Sequence, residues 1–154
     1  MKSESKSTNL RVCVVGAGLM GADHIARLTG RIVGAEVSVV VDADASRASK
    51  AVEAIPTAVA VSNIGQALDR EDVGAVLIAT PGFLHRDILL QVRERDLPIL
   101  CEKPLTPDAP SSWGILEAEQ RLGEKRIQVG FMRRFDSGYQ RLRKVILSGE
   151  LGEL

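Results

Sequence analysis

Gly16, Gly18 and Gly21 make a G-x-G-x-x-G turn directly after the apolar run Leu10–Val15, with Leu19 and Met20 between the last two glycines. Each glycine answers a physical demand. Gly16 permits a tight turn, Gly18 lets backbone approach a pyrophosphate, and Gly21 lets a helix pack closely on the strand before it. The helix that begins there offers unpaired N–H groups to phosphate oxygens, from a first turn that holds Leu19 and Met20. A strand before and a helix after are the context this motif requires. Asp42 follows 21 residues beyond Gly21, at the end of the second apolar run. A carboxylate there accepts both hydroxyls of an adenosine ribose and repels a 2′-phosphate, which favours NAD over NADP. Asp42 has a structural alternative as the N-cap of the next helix, a role for which Asp44 competes. Arg47, which could soften the bias against a 2′-phosphate, reads first as an exposed helix charge. A glycine turn followed by an acid also serves S-adenosylmethionine-dependent methyltransferases, so that class is the rival. The G-x-G-x-x-G spacing favours a dinucleotide.

Three further motifs follow the later apolar runs: Ala79-Thr80-Pro81-Gly82-Phe83-Leu84-His85, Cys101-Glu102-Lys103-Pro104, and Gly130-Phe131-Met132-Arg133-Arg134-Phe135-Asp136. The elements that must position them are legible. Six short apolar segments recur: Leu10–Val15, Glu36–Val41, Ala58–Val61, Gly74–Thr80, Pro98–Cys101 and Arg126–Gly130. Three of them are near-continuous β-branched or aliphatic runs, the pattern of strands covered on both faces. Between them the spacing is helical. Gly21, Ile25 and Leu28 share one face, Ile88, Val92 and Arg95 a second, and Phe135, Tyr139, Leu142 and Ile146 a third. Alternating strands and helices predict an α/β, doubly wound Rossmann fold with a mostly parallel six-stranded sheet. All the motifs then stand at carboxyl ends of strands, where open α/β sheets bind ligands. Thr106–Ser112 reads as a turn into a helix cap.

Composition narrows the function classes. Twenty Lys+Arg balance twenty Asp+Glu in 154 residues, which argues against a global footprint for nucleic acid or anionic membrane. No apolar run approaches the roughly 18 residues of a membrane span. The polar opening MKSESKSTN lacks the apolar core of a secretory signal and reads as a disordered tail over residues 1–9. Cys13 and Cys101 lie inside apolar runs and read as reduced core residues of a cytoplasmic protein. Two histidines leave little room for an imidazole metal site, so no metal is expected. The dinucleotide domain is read over residues 10–148, with the last helix closing at Ser148-Gly149. Residues 149–154 look like a turn into a further strand, the start of a C-terminal domain that this chain lacks.

Together with Gly16-Ala17-Gly18-Leu19-Met20-Gly21-Ala22-Asp23-His24, the three later motifs closely resemble the glucose–fructose oxidoreductase / inositol dehydrogenase family, over essentially the whole chain after the tail. G-F-M-R-R-F-D looks most like the inositol branch of that family. The resemblance implies an oxidoreductase that moves hydride between a secondary alcohol of a polyol or sugar and nicotinamide. It implies Lys103 as the catalytic lysine, which holds the reacting hydroxyl and assists its proton transfer; a lysine partly buried beside a cofactor suits that task. It places Glu102 near the nicotinamide ribose and puts Thr80, Pro81 and His85 in the turn that lines the pyrophosphate and nicotinamide. It matches Arg133 to an arginine facing polyol substrates, and it implies a cis Lys103–Pro104 bond. His24 recurs in the family's first helix, where no chemistry requires it, and is expected to pack or cap.

Two departures qualify the resemblance. Gly82 replaces a polar residue common in relatives. The family's second domain, with an Asp and a His that complete the active site, is absent from this sequence. Two expectations follow: the chain alone turns over negligible substrate, and the face bearing Phe83, Phe131, Met132 and Phe135 is exposed and drives homo-oligomer formation. A module that binds NAD without catalysis is the alternative function.

Overall fold

In the computed structural model of the chain, residues 9–152 are described. The tail expected to be disordered lies, but for Asn9, outside the described residues, as do the last two positions. Strands β1 (Leu10–Val15), β2 (Ala35–Val41), β3 (Val59–Val61), β4 (Ala75–Ile78), β5 (Ile99–Cys101) and β6 (Ile127–Val129) alternate with helices α1 (Leu19–Gly30), α2 (Ala45–Val52), α3 (Ile64–Leu68), α4 (His85–Arg93), α5 (Ala109–Leu122) and α6 (Ser137–Leu147). The strands form one sheet in the order β3-β2-β1-β4-β5-β6, and every described pairing is parallel. The order reverses between β1 and β4, which makes the switch point where such sheets hold ligands.

The aliphatic strand runs are buried from both sides, as their composition predicts. Cys13, Val14, Val37, Val39, Val40 and Ile78 have no exposed surface. One core packs Cys13, Val39, Val76, Ile78, Leu89 and Ile115 between the sheet and the helices on one face. The other packs Val12, Val14, Ile25, Leu28, Val37 and Leu77 under α1. The pairing of β1 with β2 shifts by one residue between Val12 and Cys13, leaving Ser38 as the extra residue. The buried Ser38 hydroxyl donates to Val12 O at 3.4 Å, so the bulge carries its own polar partner.

Helix α1 buries Gly21, Ile25 and Leu28, the face its spacing predicts. Helix α4 differs. It buries His85, Leu89, Val92 and Arg93, not the expected Ile88–Val92–Arg95 stripe, which is rotated by one position at its start. The reason is polar: His85 occupies a core position by hydrogen bonding, and an apolar count cannot register it. Arg93 is buried against Glu119 of α5, Nε to Oε1 at 3.1 Å, and Glu119 also accepts the Arg126 and Ile127 N–H groups at the start of β6. Asp108 caps α5 by accepting from Ser111 N at 2.8 Å, as the Thr106–Ser112 turn predicts. Helix α6 closes at Ser148, and Gly149 follows at φ +74°. Its apolar stripe is not buried: Tyr139, Leu142 and Ile146 are all exposed. No helix among the described residues is long and apolar enough to cross a membrane.

Candidate cofactor site

A cavity of about 580 Å³ opens at the carboxyl edge of the sheet, lined by Gly16, Gly18, Leu19, Met20, Asp42, Arg47, Thr80 and Pro81 among others. The glycines make it possible, each in a different way. A Cβ on Gly21 would stand 1.8 Å from Gly16 O, so α1 could not begin this close to the strand with any other residue. Gly16 has φ +96°, and a Cβ there would meet Ala79 O at 2.8 Å. Gly18 is the opposite case: a Cβ would touch nothing within 4 Å. The space over Gly18 faces outward, where a ligand's backbone-bound group would lie. No side chain caps α1, so its first N–H groups remain available to an anion.

Asp42 stands across this turn. Its Oδ2 accepts from Ala17 N at 2.8 Å, and its Oδ1 accepts from Asp44 N at 2.9 Å. The carboxylate is thereby aimed, with lone pairs left for a ligand. The N-cap of α2 is Asp44, which accepts from Ser46 N and Arg47 N, so the capping alternative for Asp42 is removed. Those bonds, led by the one from the Ser46 hydroxyl, hold the Asp44 carboxyl down at about 2. Arg47 is more than a free helix charge: its guanidinium lies 3.7 Å from Asp42 and 3.3 Å from Asp44, on the cavity wall. Asn63 and Ile64, at the start of α3, line the same end and were not visible in the sequence as site residues. They become so only when β3 closes the edge of the sheet.

On the other side of the turn, Thr80 Oγ1 is buried without a hydrogen-bond partner in the protein. Buried hydroxyls are ordinarily satisfied, so an acceptor or donor from a ligand in the cavity fits this atom. The expected contact of His85 with a cofactor is corrected. Its side chain is fully buried, with Nδ1 2.8 Å from Pro104 O and Nε2 2.9 Å from Thr80 O. It ties the loop after β4 to the loop after β5 and does not face the crevice. Lys103–Pro104 is cis, as the resemblance implied. The ring of Pro104 lies 3.2 Å from where a Cβ on Gly82 would stand, so a side chain there would press on that ring.

Lys103 is exposed, not partly buried, and among the described residues its ammonium joins no ion pair. Its backbone N–H donates to Glu102 Oε2 at 3.3 Å. Glu102 Oε1 accepts from His24 Nε2 at 2.8 Å, so His24 is neither a cap nor an apolar packing residue. Neither spacing nor hydropathy signals this pair, whose members stand on α1 and after β5. Arg133 lies over the Tyr139 ring at 4.8 Å and lines a separate shallow groove with Arg134 and Leu142.

The two ends of this edge suit the two ends of a dinucleotide. Asp42 ends β2 and Glu102 ends β5, three strand intervals away, about 14 Å at ordinary strand spacing. Between them lie the glycine turn and Thr80. An adenosine ribose at Asp42, a pyrophosphate over Gly18 and a nicotinamide toward Thr80 and Lys103 fit that order. Comparison with known proteins bears on the fold and the family. The chain is 66% identical over 145 residues to the inositol 2-dehydrogenase of Arthrobacter sp., covering 94% of this chain and 43% of that protein. It is 55% identical over 148 residues to the inositol 2-dehydrogenase of Corynebacterium glutamicum, covering 96% and 44%. The structure superposes on the myo-inositol dehydrogenase of Lactobacillus casei in complex with NAD(H) and myo-inositol, with a TM-score of 0.88 and 35% identity over 92% of this chain and 42% of that one. The chain thus spans less than half the length of these relatives. Residues 10–131 match a family described as an oxidoreductase family with an NAD-binding Rossmann fold. With a glycine turn and a switch-point crevice in an NAD-binding Rossmann fold, this chain belongs to that family, named GFO_IDH_MocA.

Proposed function

We propose that this chain serves as the cofactor half of an inositol dehydrogenase-type enzyme acting in the cytoplasm on a polyol or sugar secondary alcohol. The observation that supports this best is the order of groups along one sheet edge: Asp42, the glycine turn, Thr80, then Glu102 and Lys103. The bound nicotinamide supplies the hydride acceptor. The chain's own residues bind and orient. Asp42 takes the adenosine ribose and disfavours a 2′-phosphate, the N-terminus of α1 takes the pyrophosphate, and Thr80 and Pro81 wall the nicotinamide side. Lys103 presents an ammonium to the substrate hydroxyl, where it steadies charge on oxygen and relays the proton. Arg133, stacked over Tyr139 in its separate groove, stands outside this crevice and takes no part in the pose. The assignment of substrate rests on the relatives named inositol 2-dehydrogenase.

Hydrogen–deuterium exchange with and without NAD tests this pose. Protection is expected at residues 16–21, at Asp42, and at Thr80 and Glu102–Lys103. Protection confined to the glycine turn and Asp42 would mean that only an adenosine group is held, as in an S-adenosylmethionine site.

A further inference from the structure

His24 and Glu102 form a link that the cofactor-binding reading does not use. His24 lies on α1, three residues past Gly21, and α1 belongs to the β1–β2 half of the sheet. Glu102 follows β5 in the other half. Their side chains meet at 2.8 Å and are largely buried, 21% and 16% exposed. This contact therefore bridges the switch point, just beyond the glycine turn. The other oxygen of Glu102 accepts the Lys103 N–H, so the carboxylate holds the backbone from which Lys103 projects. A Cβ on Gly130 would stand 3.6 Å from the Glu102 carboxylate, so the first residue after β6 backs it closely. A partly buried carboxylate that accepts two donors has its orientation set by them.

We infer that His24 is a positioning residue for the nicotinamide end of the site: through Glu102 it fixes the Lys103 backbone relative to α1. The inference rests on the dinucleotide reading above. It makes a prediction that a role in helix stability does not. The adenosine and pyrophosphate contacts of Asp42 and the glycine turn do not pass through His24. Loss of its ring must therefore weaken NAD while sparing ADP, which lacks both the nicotinamide and its ribose.

The test is calorimetric titration of the 154-residue chain with NAD and with ADP, for the wild type and for His24→Leu and His24→Gln. For His24→Leu we expect NAD affinity to fall about tenfold and ADP affinity to change by less than about twofold. His24→Gln keeps a donor for Glu102 and should recover most of the NAD affinity. Should His24→Leu lose its helical circular dichroism, His24→Ala carries the same comparison. Equal losses for the two ligands, or no loss for either, would overturn the positioning role. A wild type that binds neither ligand would instead refute the dinucleotide reading, and the inference with it.

Discussion

Asp42 is the carboxylate that we propose selects the cofactor. It already accepts from Ala17 N and Asp44 N, and Arg47 stands 3.7 Å away. Replacing it by alanine removes the ribose acceptor and leaves Arg47 free beside the position of a 2′-phosphate. Asp42→Ala should therefore weaken NAD binding by about ten- to a hundredfold and narrow the gap to NADP. Unchanged NAD affinity would remove Asp42 from the site. The two cysteines are inert for a related reason. Burial pushes the Cys13 thiol up from 9.0 to about 12, and burial with the neighbouring Glu102 charge does the same for Cys101. Both stay protonated near neutral pH, so a thiol reagent at about pH 8 should label neither in the native protein. Because the folded-state values are raised, this contribution to stability is full below 9.0 and is lost as pH climbs to about 12. The chemical-denaturation midpoint should fall across that alkaline window; a midpoint flat throughout would contradict the burial of both thiols.

At the scale of elements, two glycines of one motif separate fold from function. Gly18→Ala adds a methyl group to open space at φ −71°, so its thermal midpoint should match the wild type while NAD affinity falls. Gly21→Ala drives a carbon to 1.8 Å from Gly16 O, so it should lower the thermal midpoint or prevent folding. Reversed outcomes would mean that the turn does not hold the pyrophosphate. The Asp108 cap gives a plainer test. Asp108→Ala removes the acceptor for Ser111 N and should cost about 1 kcal/mol in chemical denaturation. These features were legible because each follows from a local rule: a glycine turn after an aliphatic run, an acid at the end of the next strand, an Asp before a helix. The α4 face and the roles of His85 and His24 were not legible. Their partners, Thr80 O, Pro104 O and Glu102, come from other strands, and neither spacing nor hydropathy encodes a hydrogen bond across the sheet.

For the whole molecule, the exposed side matters most. Phe83, Phe131, Met132 and Phe135 are 70%, 51%, 58% and 74% exposed, and the apolar stripe of α6 is open beside them. Patches of this kind promote association. We predict that light scattering finds at least twice the monomer mass at working concentration and that Phe135→Glu lowers it. A monodisperse wild-type monomer would refute self-association through this face. The chain spans 43% of the Arthrobacter relative, so turnover is a property to be tested and not assumed. We expect negligible oxidation of myo-inositol by this chain alone, because an exposed lysine on an open crevice neither excludes water nor fixes a substrate.

On the proposed reading, this chain by itself holds NAD through Asp42 and the glycine turn. The most direct measurement is calorimetric titration of the purified chain with NAD, with NADP and S-adenosylmethionine as comparators. We expect saturable binding of NAD, weaker binding of NADP, none of S-adenosylmethionine, and a much weaker NAD signal in Asp42→Ala. Absence of NAD binding by a folded chain, or NAD binding indifferent to Asp42→Ala, would contradict it.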